Sequence, residues 1–209
     1  MKSMNYERLL SFGHVIPLNI SCDREKIIEE IKDFSFSQYN GSKPDNPRLG
    51  LSVTSLDGSI NGVDLDSLYE LNKRTDNHFD ECSFKKLTAV YDMSEEVQKL
   101  VDPWKDHLAR THFLNIKKGG YFPPHRDDRG YDEQHTFRIV VPIRHCNQPK
   151  FYFMMNGEIV NFVEGHAYFM NTNLMHSAFS YSNDNLMLVM NIMSNKESLS
   201  IVAKNFMNV

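Results

Sequence analysis

From His112 to the region of Met193 the chain is a succession of short apolar-rich runs: HFLNI, YFPPHRD, TFRIVVPI, KFYFMM, EIVNF, AYFMN, HSAFSY and LMLVMNIM. The residues between them are turn formers: Lys-Lys-Gly-Gly, Asp-Arg-Gly, Asn-Gln-Pro, Asn-Gly-Glu, Glu-Gly-His and Ser-Asn-Asp-Asn. Eight short strands with such punctuation predict a jelly roll, that is, a double-stranded β-helix. The first half has a different rhythm. Val15, Ile16, Leu18 and Ile20 alternate loosely within 5–20 and predict a strand entering the domain. Asp23 then stands where a helix cap belongs, and Ile27, Ile28, Ile31 and Phe34 form one apolar stripe opposite Glu29, Glu30 and Lys32. After a turn-rich loop, LGLSVTSLDG alternates up to its Asp57-Gly58 turn as a half-buried strand should, and Leu65, Leu68 and Leu71 suggest a short helix. A second clear helix is predicted over 93–108, capped by Ser94, with Val97, Leu100, Val101, Trp104 and Leu108 as its stripe; Pro103 requires a break at Asp102 or a restart there. The tail predicts a last short helix through Leu199, Val202 and Phe206. The expected fold is mainly β with flanking helices: one domain over 1–209, with 1–108 a strand-and-helix buttress and 109–195 a cupin-like β-helix core.

Composition narrows the setting. The 209 residues, 41% of them hydrophobic, suit a domain with a sizeable core. A net charge of -4 carries no basic excess, so no nucleic-acid partner is expected. Cys22, Cys82 and Cys146 are too far apart for a CxxC pair and read as reduced thiols of a cytoplasmic protein. No apolar run approaches the length of a membrane span, so no membrane partner is expected. The Met residues crowding the last strands read as packing material.

Chemistry concentrates in THFLNIKKGGYFPPHRDDRGYDEQHT, residues 111–136. In an extended segment His125 and Asp127 share a face because side chains alternate with period two, while Arg126 points away. One imidazole nitrogen and one carboxylate oxygen can then hold a metal ion, and His176 is the best-placed third ligand. His166 is its rival but lies early relative to the closing strands. Two neutral imidazoles and a carboxylate on one side of a metal leave the other side open, the arrangement of non-haem Fe(II) oxygenases. His112, His135 and His145 read as supporting or surface residues, and Asp128, Arg129, Tyr131, Asp132 and Glu133 as a polar loop over the site.

GGYFPPHRD resembles the entry strand of the Fe(II)/2-oxoglutarate-dependent dioxygenases, and GEIVNFVEGHAYFMNTNLMHSAFSYSNDNLMLVMNI resembles the closing half of their double-stranded β-helix. Among subfamilies the chain is most similar to the aspartyl/asparaginyl β-hydroxylase and free-proline hydroxylase group. The resemblance implies Fe(2+) held by His125, Asp127 and His176, with 2-oxoglutarate as cosubstrate and O2 as oxidant. It also implies hydroxylation of a small amino acid or a peptidyl side chain. Two departures stand out. Many members carry an Arg or Lys about ten residues after the distal His to bind 2-oxoglutarate, and here that position is Leu186. The Tyr that collagen-type prolyl hydroxylases place nine residues before the first iron His is Ile116. With a metal ion, one ligand carboxylate and a dicarboxylate, such a site needs one further cation. Arg138 is the Arg within an apolar strand, sharing a face with Thr136 and Val140, and is the expected cofactor-binding residue. Two alternatives stay open: a cupin-like metalloenzyme that uses no keto acid, and a non-enzymatic jelly-roll binding module.

Overall fold

The structure is a computed structural model that describes residues 5–127 and 136–207. Thirteen strands and six helices follow one another along it. α1 (Tyr6–Leu10) leads into β1 (Val15–Ser21), α2 (Arg24–Ile31), β2 (Ser37–Gln38), β3 (Arg48–Ser52) and β4 (Thr54–Ser55). Next come α3 (Leu68–Thr75), β5 (Lys86–Leu87), α4 (Ala89–Asp92), α5 (Glu95–Val101) and β6 (Leu108–Ile116). The rest is β7 (Tyr121–His125), β8 (Thr136–Arg144), β9 (Phe151–Met155), β10 (Glu158–Val160), β11 (His166–Met170), β12 (His176–Ser180), β13 (Leu186–Met193) and α6 (Lys196–Lys204).

Strand order defines the architecture. A seven-stranded sheet runs β1-β11-β8-β13-β6-β3-β2, and a four-stranded sheet runs β10-β9-β12-β7. Strands 6 to 13 pass back and forth between the two sheets, with β9 and β10 a hairpin within the smaller one, and their pairs are antiparallel, which is a double-stranded β-helix. The N-terminal half adds β1 to one edge of the larger sheet and β3 and β2 to the other, so part of the expected buttress is continuous with the β-helix.

Two apolar clusters fill the layers. The larger lies between the helices and the outer face of the big sheet, and includes Ile27, Ile31, Val97, Leu100, Trp104, Phe137, Ile139, Val141 and Leu188. The smaller lies between the two sheets and includes Leu114, Val140, Phe151, Phe162, Tyr168, Met187 and Val189. The period-two reading of β8 therefore holds: Phe137, Ile139 and Val141 face the helices, and Arg138 and Val140 face the barrel interior.

Local expectations fare unevenly. The Asp23 side chain caps α2 through the amides of Glu25 and Lys26, and Ser94 caps α5 through Val97. Pro103 ends α5 at Val101, and the chain continues as a 3-10 turn from Asp102 to His107. Residues 6–10, read as part of an entering strand, are helical instead: Asn5 caps a five-residue turn that gives no helical periodicity to detect. The methionines divide: Met155, Met170, Met187 and Met190 are core, whereas Met154 and Met175 are exposed.

Candidate metal centre

The β-helix brings the two sequence-distant halves of the ligand set together by direct pairing. His125 closes β7 and His176 opens β12, and the two are cross-strand partners with imidazole centroids 4.2 Å apart. Asp127 lies two residues past His125, just beyond the strand end, where its backbone N–H donates to the Thr172 carbonyl at 3.0 Å. That bond turns the carboxylate back over the pair: Asp127 Oδ1 is 3.7 Å from His125 Nε2 and 3.9 Å from His176 Nε2. One ligand atom from each of the three residues falls within 4.8 Å of the others. The common face expected of His125 and Asp127 is thus reached, although the strand ends between them.

Both imidazoles are oriented by one local device. His125 Nδ1 lies 2.7 Å from the Pro123 carbonyl, and His176 Nδ1 lies 2.9 Å from the Leu174 carbonyl, in each case two residues upstream. A carbonyl oxygen only accepts, so each Nδ1 carries the hydrogen and each Nε2 presents a lone pair toward Asp127. Burial lowers the His176 pKa, and the neighbouring His125 and Arg138 act in the same direction. The neutral, ligating form is favoured.

The Gly-Gly turn before β7 has a steric cause. Gly119 has φ +84, and a Cβ on Gly120 would sit 2.8 Å from the Pro47 carbonyl oxygen and 2.9 Å from that of Lys117. Only glycine lets the start of β7 pass this close to the segment entering β3. Glu164, in the later Glu-Gly turn, accepts from the Cys146 amide and pairs with Arg24, so its role is to tie loops together.

The triad lines the rim of a cavity of about 800 Å³ between the sheets, within the range of small-ligand sites. Arg138 points into it, 24% exposed, with Nη1 3.1 Å from Asp127 Oδ2 and Nε donating to Asn191 Oδ1. Asn191 in turn donates to Glu81 and to the Arg110 carbonyl, and Arg110 grips both Glu81 oxygens at 2.6 and 2.8 Å. Leu186, by contrast, packs in the cluster beneath the helices. A cation at that position would face away from the cavity, which accounts for the departure seen in the sequence. His166 pairs with Ser21 at the far edge of the sheet and is not among the converging ligand atoms. His145 accepts from Lys150 and neighbours Ser182, outside the cluster. Asp128, Arg129, Tyr131, Asp132, Glu133 and His135 lie outside the described residues.

Sequence reasoning missed the cavity groups Arg48, Arg110 and Asn191, and took His112 only as a supporting or surface residue. Polar residues within apolar strands were the available signal for Arg110, Asn191 and His112. His112 is 4% exposed, stacks at 5.4 Å on Tyr39, and has no partner at Nδ1. Burial holds its pKa well below 6.5, with Arg110 and Arg138 adding to the shift. In the unfolded chain this imidazole protonates as pH falls through 6.5; in the fold it does not. Stability contributed by His112 is therefore full above that pH and lost below it, at up to about 1.4 kcal/mol per pH unit. Urea unfolding of the wild type and His112→Phe from pH 7.5 to 5.0 should show the variant gaining relative stability at that slope below pH 6.5. A pH-independent difference would mean that the folded His112 takes up a proton as readily as the unfolded one.

No family model matches the chain, and no curated protein matches it. Solved structures do. An oxidoreductase of the 2OG-Fe(II) oxygenase family from Burkholderia pseudomallei aligns over 83% of this chain and 78% of its own, with TM-score 0.50 and 10% identity. A prolyl-4-hydroxylase from Pseudomonas putida aligns over 89% and 95%, with TM-score 0.48 and 10% identity. KdgF from Halomonas sp. aligns over 41% and 69%, with TM-score 0.31 and 19% identity. At such identities the likeness concerns the fold. The Burkholderia structure agrees with the strand order: the chain is a double-stranded β-helix.

Proposed function

We propose that this protein is an Fe(II)/2-oxoglutarate-dependent oxygenase that hydroxylates a small amino acid or a peptidyl side chain. The observation that carries this reading is the convergence of His125 Nε2, His176 Nε2 and an Asp127 carboxylate oxygen in the wall of the cavity. The donor set fits the ion. Two imidazole nitrogens and one carboxylate, with no thiol among the converging atoms, suit non-haem iron and leave room for other ligands. The exposed outer rim would admit the amino acid or side chain, and the aspartyl/asparaginyl and free-proline hydroxylase likeness in the sequence supports that substrate class.

Iron in such a site supplies open coordination positions and couples the oxidation of 2-oxoglutarate by O2 to hydroxylation. The balance is one substrate C–H, one O2 and one 2-oxoglutarate giving one C–OH, one succinate and one CO2. The protein's own part is fourfold. His125 and His176 present neutral nitrogens fixed by their carbonyl partners, so little reorganisation accompanies metal binding. Phe122 stacks beside His125 and Phe153 beside His176, each with centroids 6.2 Å apart, and these rings screen the ligands from water. Val140, Met187 and Val189 make the inner wall apolar. Arg138, bonded to the outer Asp127 oxygen, holds the carboxylate in place.

Anaerobic addition of Fe(II) and then 2-oxoglutarate tests the reading. A weak visible charge-transfer band that appears only with the keto acid, followed by substrate-dependent succinate release in air, is the expected result. Iron uptake without the band would point to the cupin-like, keto-acid-independent class, and no uptake to a binding module.

A further inference from the structure

Among the described residues, three arginines are buried or half-buried in the cavity wall. Two are satisfied: Arg110 by Glu81 and by the carbonyls of Asp64 and Asp66, and Arg138 by Asp127 and Asn191. The third, Arg48, is not. It is 3% exposed, its Nε is buried without a partner, and no carboxylate among the described residues pairs with it. Its guanidinium carbon lies 4.2 Å from the Phe122 ring centroid and 5.3 Å from that of Tyr39. Two aromatic faces offset part of the loss of hydration, but they leave the in-plane N–H donors unanswered. Burial without a counter-charge also pulls the Arg48 pKa down.

An unpaired guanidinium held this deep is destabilising on its own. Its place is dictated by other features. Arg48 opens β3 opposite Ile116 on β6, and the Gly-Gly turn lets Phe122 settle on it. Phe122 is also the ring beside the metal-ligating His125, 6.2 Å from it. The cation therefore stands one aromatic ring away from His125, in the wall of the same cavity. A planar two-toothed donor set of this kind matches a carboxylate. We propose that Arg48 is the carboxylate anchor of the cavity, and that the acid it receives is the distal carboxylate of 2-oxoglutarate, whose keto-acid end lies at His125, Asp127 and His176. This rests on the oxygenase reading, and it gives the missing cation of the Leu186 position a source on an added N-terminal strand.

Calorimetric titration of the Mn(II)-loaded protein with 2-oxoglutarate and with pyruvate separates the possibilities, because pyruvate keeps the keto-acid end and lacks the distal carboxylate. The wild type should prefer 2-oxoglutarate. Arg48→Met should lose about 10- to 100-fold of 2-oxoglutarate affinity, the worth of a charge-assisted pair of hydrogen bonds, and bind pyruvate and Mn(II) as before. Thermal melts of the ligand-free proteins add a readout that a structural arginine would move the other way: Arg48→Met should melt at the wild-type temperature or above it. Arg48→Lys, which keeps the charge and loses the fork, should fall between. A variant that keeps the wild-type 2-oxoglutarate preference, or that is markedly less stable without ligand, overturns the assignment to Arg48 alone. A wild type that binds Mn(II) but neither acid overturns the oxygenase reading and the assignment with it.

Discussion

Replacing His176 with alanine should weaken metal binding by more than about 100-fold while leaving the fold in place. Groups that merely orient a metal ligand are worth 10- to 100-fold, and His176 supplies a donor atom itself. With His176 removed, His125 and Asp127 remain as two protein donors two residues apart in one segment, and the donor from the paired strand is gone. The fold should tolerate the change. The imidazole faces the cavity instead of the apolar cores, and the pairing of β12 with β7 and β9 is made by backbone groups that alanine retains. Mn(II) binding followed by electron paramagnetic resonance, alongside a thermal melt, checks both halves. Undiminished Mn(II) affinity in a folded His176→Ala protein would show that the third ligand is another residue.

The His125–Asp127 half of the candidate site was legible because it follows a short-range rule. His125 and Asp127 are close in sequence, and strand periodicity alone suggests their common face. The alternation of TFRIVVPI showed that Arg138 opposes Phe137 and Ile139, and the structure places those faces on the cavity and beneath the helices. The type of each turn was equally local: Asn156 and Gly157, both with positive φ, close the β9–β10 hairpin as an Asn-Gly pair should.

Arg48 was hidden for the opposite reason. Read along the chain, it ends a loop of Asn, Gly, Pro and Asp and precedes a strand, a position where a solvated arginine is ordinary. Its burial comes from the pairing of β3 with β6 in a register that sets Arg48 against Ile116, across 68 residues of sequence, and from Phe122 closing over it. Registers between distant strands are set by the whole sheet. The carbonyl partners of the two imidazoles were hidden too, since each depends on how the backbone bends before the histidine.

The contacts of Arg138 suggest a second role beside the one expected from the sequence. From the sequence it is the cation for 2-oxoglutarate, and Arg138→Ala would then raise the keto-acid requirement tenfold or more and spare the metal. In the fold its Nη1 is committed to Asp127 Oδ2 at 3.1 Å and its Nε to Asn191, within a chain of hydrogen bonds that continues through Glu81 to Arg110. Two effects of the substitution oppose each other. Removing a positive charge near the metal relieves repulsion, and releasing Asp127 lets the carboxylate swing out of the ligating position. The second should win, because the partly exposed setting screens the charge whereas the Arg138 contact at 3.1 Å acts directly on the outer Asp127 oxygen. Arg138→Ala should therefore lose about 10-fold in Mn(II) affinity, the low end for an orienting partner, and at saturating Mn(II) bind 2-oxoglutarate as the wild type does. Arg138→Lys, able to reach the carboxylate with one donor, should recover part of the metal affinity. Titrating metal first without keto acid, and keto acid afterwards at saturating metal, reads the two affinities separately. If the loss falls on 2-oxoglutarate and spares Mn(II), Arg138 is the acid anchor after all, and Arg48 must answer to a different carboxylate.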